Sequence, residues 1–200
     1  MKQQHHVIFV PGILDDIYHA QSALIESWRL HGVHGHCHEV PWAGPEAWEP
    51  KFQRLLDKID KYKKQGHLVS LIGASAGASA VLNAYVERRN DITGLVYICA
   101  KINAPETVEE KTYRENPAFK TSLYALQDNL KELTPEDKAK MHSFYSPGDT
   151  RVPYEATVIT GVEEIRLPAL RHGRAILYGL SVGAGQLLAP LRELAEENNT

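Results

Sequence analysis

Short apolar runs alternate along the chain with longer amphipathic segments. Runs of four to eight largely apolar residues between turn residues are typical of strands that are buried on both faces of a sheet. The three strongest runs are Val7–Val10, Leu68–Ile72 and Leu95–Ala100. Three weaker candidates are Gly35–Val40, Met141–Tyr145 and Glu164–Leu167. The pattern therefore predicts six strands.

Amphipathic segments lie between these runs, and the clearest one follows the second predicted strand. Its apolar residues recur with helical spacing and so lie along one side of a helix: Phe52, Leu55, Leu56, Ile59 and Tyr62. Strands that alternate with helices indicate a mostly parallel sheet with helices on both faces. In such sheets ligands bind beyond the carboxyl ends of the strands, so we expect the chemistry directly after strands.

Composition limits the class of protein further. The chain has 200 residues, of which 43% are hydrophobic and 24% charged, and this is enough to bury one core. No repeat or Gly/Ser-rich linker divides it, so we predict one domain over residues 1–200. The net charge of −3 comes from 22 basic and 25 acidic residues that are interspersed. This balance argues against a nucleic-acid partner and favours small ligands.

No segment has the pattern of a signal peptide or a membrane span. The first apolar run is broken by Pro11 and Gly12. The stretch Ala175–Leu191 contains several glycines and a proline and is short for a spanning helix, so we predict one buried helix there. Cys37 and Cys99 lie in predicted strands and not in a paired spacing motif, which is consistent with a reducing compartment. We predict a cytoplasmic protein.

The strongest local motif is Gly73-Ala74-Ser75-Ala76-Gly77, which follows an apolar strand and precedes a helix over 78–88. A serine on a sharp turn between strand and helix exposes its hydroxyl above the sheet, and the strained backbone requires small neighbours. Ala76 can then offer its backbone N–H to an oxyanion. The alternative is a small-residue turn that only lets a helix pack closely on a strand.

At this motif the chain resembles the α/β-hydrolase superfamily, in which a serine, an acid and a histidine follow one another in that order. After the strand Met141–Tyr145 comes Asp149, followed shortly by Val152-Pro153, and this is similar to the acid loop of the superfamily. Beyond the last predicted strand, Arg171-His172-Gly173 resembles the histidine loop. The resemblance implies that Ser75, Asp149 and His172 form a catalytic triad.

The resemblance also implies a fold and a reaction. The fold is a three-layer α/β/α arrangement with six strands in the order 2-1-3-4-5-6, in a minimal form without a large cap domain. The reaction is hydrolysis of a small carboxylic ester or thioester, without cofactor or metal. The loop after the first strand supplies a second oxyanion donor in the superfamily. Here that loop reads Pro11-Gly12 where His-Gly is common, and the matching donor is Ile13.

Other functions remain open from the sequence. An amidase, a peptidase or an acyltransferase uses the same triad, since all form acyl-enzymes. A noncatalytic binding module on the same fold is a further alternative, although its expected sign, a missing triad member, is absent. Neither the oligomeric state nor the natural substrate follows from the sequence.

Three groups of residues carry weaker predictions. Asp15 and Asp16 are rival carboxylates, but capping of the following helix is the simpler role. His31, His34, His36 and His38 with Cys37 form a candidate zinc cluster, but alternate residues of a strand point to opposite faces, so we favour a solvated edge strand without metal. The insertion 102–138 is a short cap-like segment that contains Tyr113, Phe119 and Tyr124. These aromatic residues, and Trp42 and Trp48 in the loop after the second predicted strand, either line a substrate pocket or pack on the core.

Overall fold

The computed structural model describes residues 3–13 and 18–198, which contain one sheet of six strands. The strands are β1 (His5–Val10), β2 (His34–Cys37), β3 (Leu68–Ala74), β4 (Ile92–Ile98), β5 (Met141–Tyr145) and β6 (Glu163–Arg166). Their order is β2-β1-β3-β4-β5-β6, as predicted. Every neighbouring pair is parallel, so the sheet is wholly parallel where we predicted a mostly parallel one.

Helices cover both faces of this sheet and complete the predicted three-layer arrangement. The α-helices are α1 (Tyr18–Glu26), α2 (Trp48–Lys64), α3 (Gly77–Glu87), α4 (Glu110–Glu115), α5 (Pro117–Asn129), α6 (Pro135–Lys138), α7 (His172–Leu180) and α8 (Ala184–Glu197). On one face α2, α3 and α5 pack against one another, and α3 packs on β3. On the other face α1, α7 and α8 lie together, with α8 on β4. Each face of the sheet has its own hydrophobic core.

The prediction of one helix over Ala175–Leu191 is wrong, because the chain breaks between α7 and α8. Ser181 leaves the helical region at φ −116° and ψ −96°. The N–H of Gly183 donates to the carbonyl of Tyr178 at 2.8 Å and closes the turn. Both helices continue the same apolar stripe, so the hydrophobic pattern does not reveal the break. No helix in the described part of the chain combines the length and the apolar character needed to cross a membrane.

The segment between β4 and β5 is fastened to the body by polar contacts of α5 with α3. The hydroxyl groups of Ser122 on α5 and Ser79 on α3 are hydrogen-bonded, with 2.8 Å between their oxygens. The side-chain amide of Asn83 donates to the Ser122 carbonyl at 2.9 Å. Buried polar groups that satisfy one another fix the relative position of the two helices. α5 is therefore held firmly against α3.

Histidine rings are stacked at the opposite edge, where the strands begin. His6 of β1 lies with its ring centroid within 5.3 Å of those of His34, His36, His67 and Tyr62. His6 Nδ1 and His36 Nε2 are 2.8 Å apart. Burial is the main cause that lowers the pKa of His6 and of His36 to about 4. β2 is an edge strand as predicted, but its side chains are half-buried and not fully solvated.

Candidate active site

Ser75 occupies a tight turn between β3, which ends at Ala74, and α3, which begins at Gly77. Its φ is 53°, in the left-handed region that residues with a side chain rarely adopt. The Ser75 N–H donates to the carbonyl of Ile98 at 3.1 Å, which holds the turn against the end of β4. A Cβ on Gly77 would lie 2.1 Å from the Val10 carbonyl oxygen, so only glycine fits there. The turn therefore presents its serine above the sheet.

Three residues predicted from the sequence are brought together at this edge. His172 Nε2 lies 3.0 Å from Ser75 Oγ, and His172 Nδ1 lies 2.6 Å from Asp149 Oδ2. His172 is the first residue of α7, and Asp149 lies in the loop after β5. The side chains of His172 and Asp149 are 8% and 2% exposed. The hydroxyl, the imidazole and the carboxylate thus form one continuous chain of hydrogen bonds.

Asp149 is held as a carboxylate by its hydrogen-bond donors. The backbone N–H groups of Arg151 and Val152 each donate to Asp149 Oδ1 at 2.9 Å. Burial alone would raise the pKa of this carboxyl, but the bonds from His172 and from these two N–H groups outweigh it and lower the pKa below its ordinary value. The charged form is therefore the stable one, and it orients the imidazole.

Cys99 is a member of this cluster that the sequence analysis missed. It follows β4 directly with a φ of 48°, and its side chain is buried. Its sulfur, an Asp149 oxygen and a His172 nitrogen all lie within 4.8 Å of one another. Burial, and next the charge of Asp149 and a hydrogen bond to it, raise the pKa of the thiol. The sequence pattern had placed Cys99 inside the predicted strand Leu95–Ala100, so its position directly after β4 appears only in the structure.

These three residues are also the one close group of potential metal ligands in ranges 3–13 and 18–198. A metal would require a thiolate, which the raised pKa of Cys99 disfavours, and a carboxylate that already accepts hydrogen bonds from His172 and from two backbone N–H groups. The geometry fits a hydrogen-bonded proton-transfer group better than a ligand set. The histidines and the cysteine on and near β2, which were considered as a candidate zinc cluster, form no such close group among the described residues.

The loop after β1 lies against the serine. A Cβ on Gly12 would be 2.9 Å from Ser75 Cβ and 3.3 Å from Ser75 Oγ, so the backbone of this loop passes directly beside the hydroxyl. The indole N–H of Trp42 donates to the Pro11 carbonyl at 3.3 Å and so helps to fix this loop. Ile13 and Ala76 both line the cavity next to Ser75. Asp15 and Asp16 lie outside the described residues.

A cavity of about 650 Å³ opens above Ser75. Of the aromatic residues considered for a pocket, Phe119 lies on its wall. The structure does not bring Trp42 or Tyr113 to the wall, since Trp42 stacks on Trp48 in the core and the Tyr113 hydroxyl donates to the Pro105 carbonyl. Polar residues of the wall include Gln21, Lys101, Asn116 and Arg151. Sequence reasoning had not singled these out.

Comparison with known proteins gives structural matches only. No protein-family model and no curated protein sequence matches the chain. Among solved structures, Est1E from Butyrivibrio proteoclasticus is similar with a TM-score of 0.67 and 14% identity, over 97% of this chain and 89% of Est1E. MGS-MChE2, an α/β hydrolase from a sediment metagenome of the Mar Chica lagoon in Morocco, has a TM-score of 0.63 and 13% identity, over 99% and 93%.

A third similar structure is CarC, a serine hydrolase involved in carbazole degradation. Its TM-score is 0.62 and its identity 15%, over 96% of this chain and 92% of CarC. Together with the parallel sheet and its strand order, these matches show that the chain has the α/β-hydrolase fold.

Proposed function

We propose that this chain is a serine hydrolase that cleaves a carboxylic ester or thioester through an acyl-enzyme. The observation that carries the proposal is the continuous hydrogen-bond chain from Ser75 through His172 to Asp149 at the floor of a cavity. A hydroxyl becomes a useful nucleophile when a neighbouring imidazole takes its proton, and the imidazole needs an acid to orient it. All three parts are present at hydrogen-bond distance.

Acylation begins with a neutral imidazole. Its Nδ1–H donates to Asp149, which leaves Nε2 free to accept the Ser75 proton. As Oγ attacks the carbonyl carbon, the proton moves to Nε2, and the Asp149 carboxylate stabilises the resulting imidazolium. The backbone N–H groups of Ala76 and Ile13 donate to the oxyanion of the tetrahedral intermediate.

Collapse of this intermediate breaks the bond to the leaving group. His172 returns its proton to the departing alcohol or thiol, and the acyl group stays on Ser75. A water molecule then repeats the sequence: it gives a proton to His172, attacks the acyl carbonyl and releases the acid with Ser75 restored. Phe119 on the cavity wall contacts the apolar part of the substrate. The start of the segment 102–138 forms the cap over it.

The structural neighbours add indirect support, because one of them is described as a serine hydrolase and another as an α/β hydrolase enzyme. The proposal rests on the arrangement of the residues of this chain, and identities of 13% to 15% carry no residue roles by themselves.

The first experiment is labelling with a fluorophosphonate probe, which reacts with activated serines. Purified wild type and Ser75→Ala are exposed to the probe, and the adduct is located by peptide mass mapping. We expect labelling of wild type at Ser75 and none in the variant. Folded wild type that remains unlabelled would instead favour a noncatalytic binding module. A screen of esters, thioesters and amides then identifies the bond that is cleaved.

A further inference from the structure

Lys101 is a buried cation on the wall of the active-site cavity that the proposed chemistry does not use. The residue is 8% exposed, and its backbone N–H donates to the Ser75 carbonyl at 3.4 Å. Its Nζ donates to Thr107 Oγ1 at 2.8 Å, and both residues line the cavity. The ammonium group is thus tied, through its own main chain, to the turn that carries the nucleophile.

Within residues 3–13 and 18–198, this ammonium has no close anionic partner. Among the described residues no carboxylate oxygen lies within 4.0 Å of Lys101 Nζ, although Glu106 acts on it from further away. Burial lowers the pKa of the amine, with Glu106 opposing it. A buried charge that is not paired is costly, and an anion in the cavity would relieve that cost. The rim carries Glu109 and Glu115, but both are exposed to solvent, which screens them.

A second polar group in the cavity has no hydrogen-bond partner in the part of the chain that the structure describes. Gln21 on α1 is 5% exposed and lines the same cavity. Its Oε1 is buried without a hydrogen-bond partner among the described groups. Buried amide oxygens are normally paired, so this one indicates a ligand that donates a hydrogen bond. Lys101 and Gln21 lie in different parts of the chain. The buried cation and the buried acceptor are therefore two independent observations that indicate a polar substrate in this cavity.

We propose that the substrate is an ester or thioester that carries a carboxylate a few atoms from the scissile carbonyl, and that Lys101 binds this carboxylate. Gln21 accepts a hydrogen bond from a hydroxyl or N–H of the same molecule. The inference deepens the proposed hydrolase function and rests on it. A lysine stem of four carbons that starts beside Ser75 limits the spacer between carboxylate and carbonyl to a short chain.

A purely structural role for Lys101 predicts different behaviour. In that case the bond to Thr107 only fastens the segment after β4, and Thr107→Val would reproduce every effect of Lys101→Met. If Lys101 selects the substrate, Thr107→Val keeps the preference for an anionic substrate, whereas Lys101→Met loses it. The charge preference, and not the absolute rate, is therefore the informative measurement.

Two pairs of chromogenic esters test the preference and locate the carboxylate. The first pair is 4-nitrophenyl hydrogen glutarate and its methyl-capped form, in which the acyl half is charged or neutral. The second pair is 4-carboxyphenyl butyrate and its carboxamide analogue, in which the leaving group is charged or neutral. We expect wild type to prefer the charged member of one pair, and Lys101→Met to reduce that kcat/KM ratio roughly 10- to 100-fold.

Lys64→Met is the matched control, because it makes the same charge change at the far end of α2 and should leave both ratios unchanged. The inference would be overturned if wild type showed no preference for a charged ester, or if Lys101→Met did not change that preference. If neutral esters were still hydrolysed in a way that depends on Ser75, the hydrolase proposal would remain intact.

Binding provides a measurement that does not need turnover. In the Ser75→Ala background, calorimetry compares glutaric acid monobenzylamide with its methyl ester. We expect the acid to bind roughly 10- to 100-fold more tightly, and Lys101→Met to abolish the difference. If this difference is found while wild type hydrolyses no ester, the anion subsite stands and the hydrolase proposal fails. Equal Kd values for the two compounds in the Ser75→Ala protein would refute the subsite.

Discussion

Gly77→Ala tests how closely the turn that carries Ser75 packs against the end of β1 and the loop that follows it. The new Cβ would lie 2.1 Å from the Val10 carbonyl oxygen and 2.6 Å from that of Pro11. Real Cβ contacts essentially never fall below 3.0 Å, so the start of α3 and the end of β1 must separate by about 0.9 Å. Both contacts are with backbone atoms, which no side-chain rotation can move away.

Two effects follow from this separation. Overpacking of a close contact costs about 1–3 kcal/mol, which exceeds the gain of at most about 1 kcal/mol from replacing glycine in a helix. Displacement of a catalytic group by about 1 Å costs about 100-fold in rate. We therefore expect Gly77→Ala to lower the free energy of unfolding by about 1–2 kcal/mol and kcat/KM for a neutral ester by about 100-fold.

Urea unfolding followed by tryptophan fluorescence measures the first effect, and initial rates of hydrolysis measure the second. Gly185→Ala is the matched control, because Gly185 also lies in the first turn of a helix and its Cβ would meet only the His31 ring, with Cε1 at 3.5 Å and Nδ1 at 3.8 Å. That variant should keep full activity and equal or exceed wild-type stability. Gly77→Ala with stability and kcat/KM like those of Gly185→Ala would refute the argument.

Three further predictions concern the triad, acid stability and metals. Ser75→Ala and His172→Ala should each lower kcat/KM by roughly 10⁴-fold or more, with unfolding midpoints near that of wild type; substantial activity in either variant would contradict the mechanism. Because burial lowers the pKa of His6 and His36 to about 4, the unfolded chain binds protons first as the pH falls. The melting temperature should thus be highest above about pH 6.5 and decrease steadily towards pH 4, less steeply in His6→Phe; a flat profile would exclude this linkage. Dialysis against EDTA should not change hydrolysis, whereas loss of activity that a divalent cation restores would point to a metal on Cys99, Asp149 and His172.

The sequence predicted the sheet well because its central strands are buried on both faces. Such strands must be apolar throughout, so β1, β3 and β4 appear as apolar runs bounded by turn residues. The boundaries were less accurate: the predicted run Leu95–Ala100 extends past the end of β4 at Ile98, because Cys99 turns into the left-handed region. Hydrophobicity does not encode that change of direction.

The candidate triad could be named because its three motifs resemble those of the α/β-hydrolase superfamily and each follows its own strand. Contacts across the sheet left no such local signal. Cys99 comes close to Asp149 only because β4 and β5 are neighbours in the sheet. The burial of Lys101 and Gln21 depends on how the segment after β4 and α1 close the cavity. The stack of His6 on His36 likewise requires two strands to pair in one register.

The separation of 97 residues between Ser75 and His172 has a consequence for the synthesis of this protein. A nascent chain that has emerged as far as β4 already holds the nucleophile turn, but neither the imidazole nor its acid has yet been translated. The C-terminal helix α8 then packs on β4, with Leu191 and Leu194 against Gly94, so the last elements also complete the core. Under the proposed mechanism, catalytic competence therefore arises in one late step, and a polypeptide stalled on the ribosome before α7 is expected to be inert towards esters.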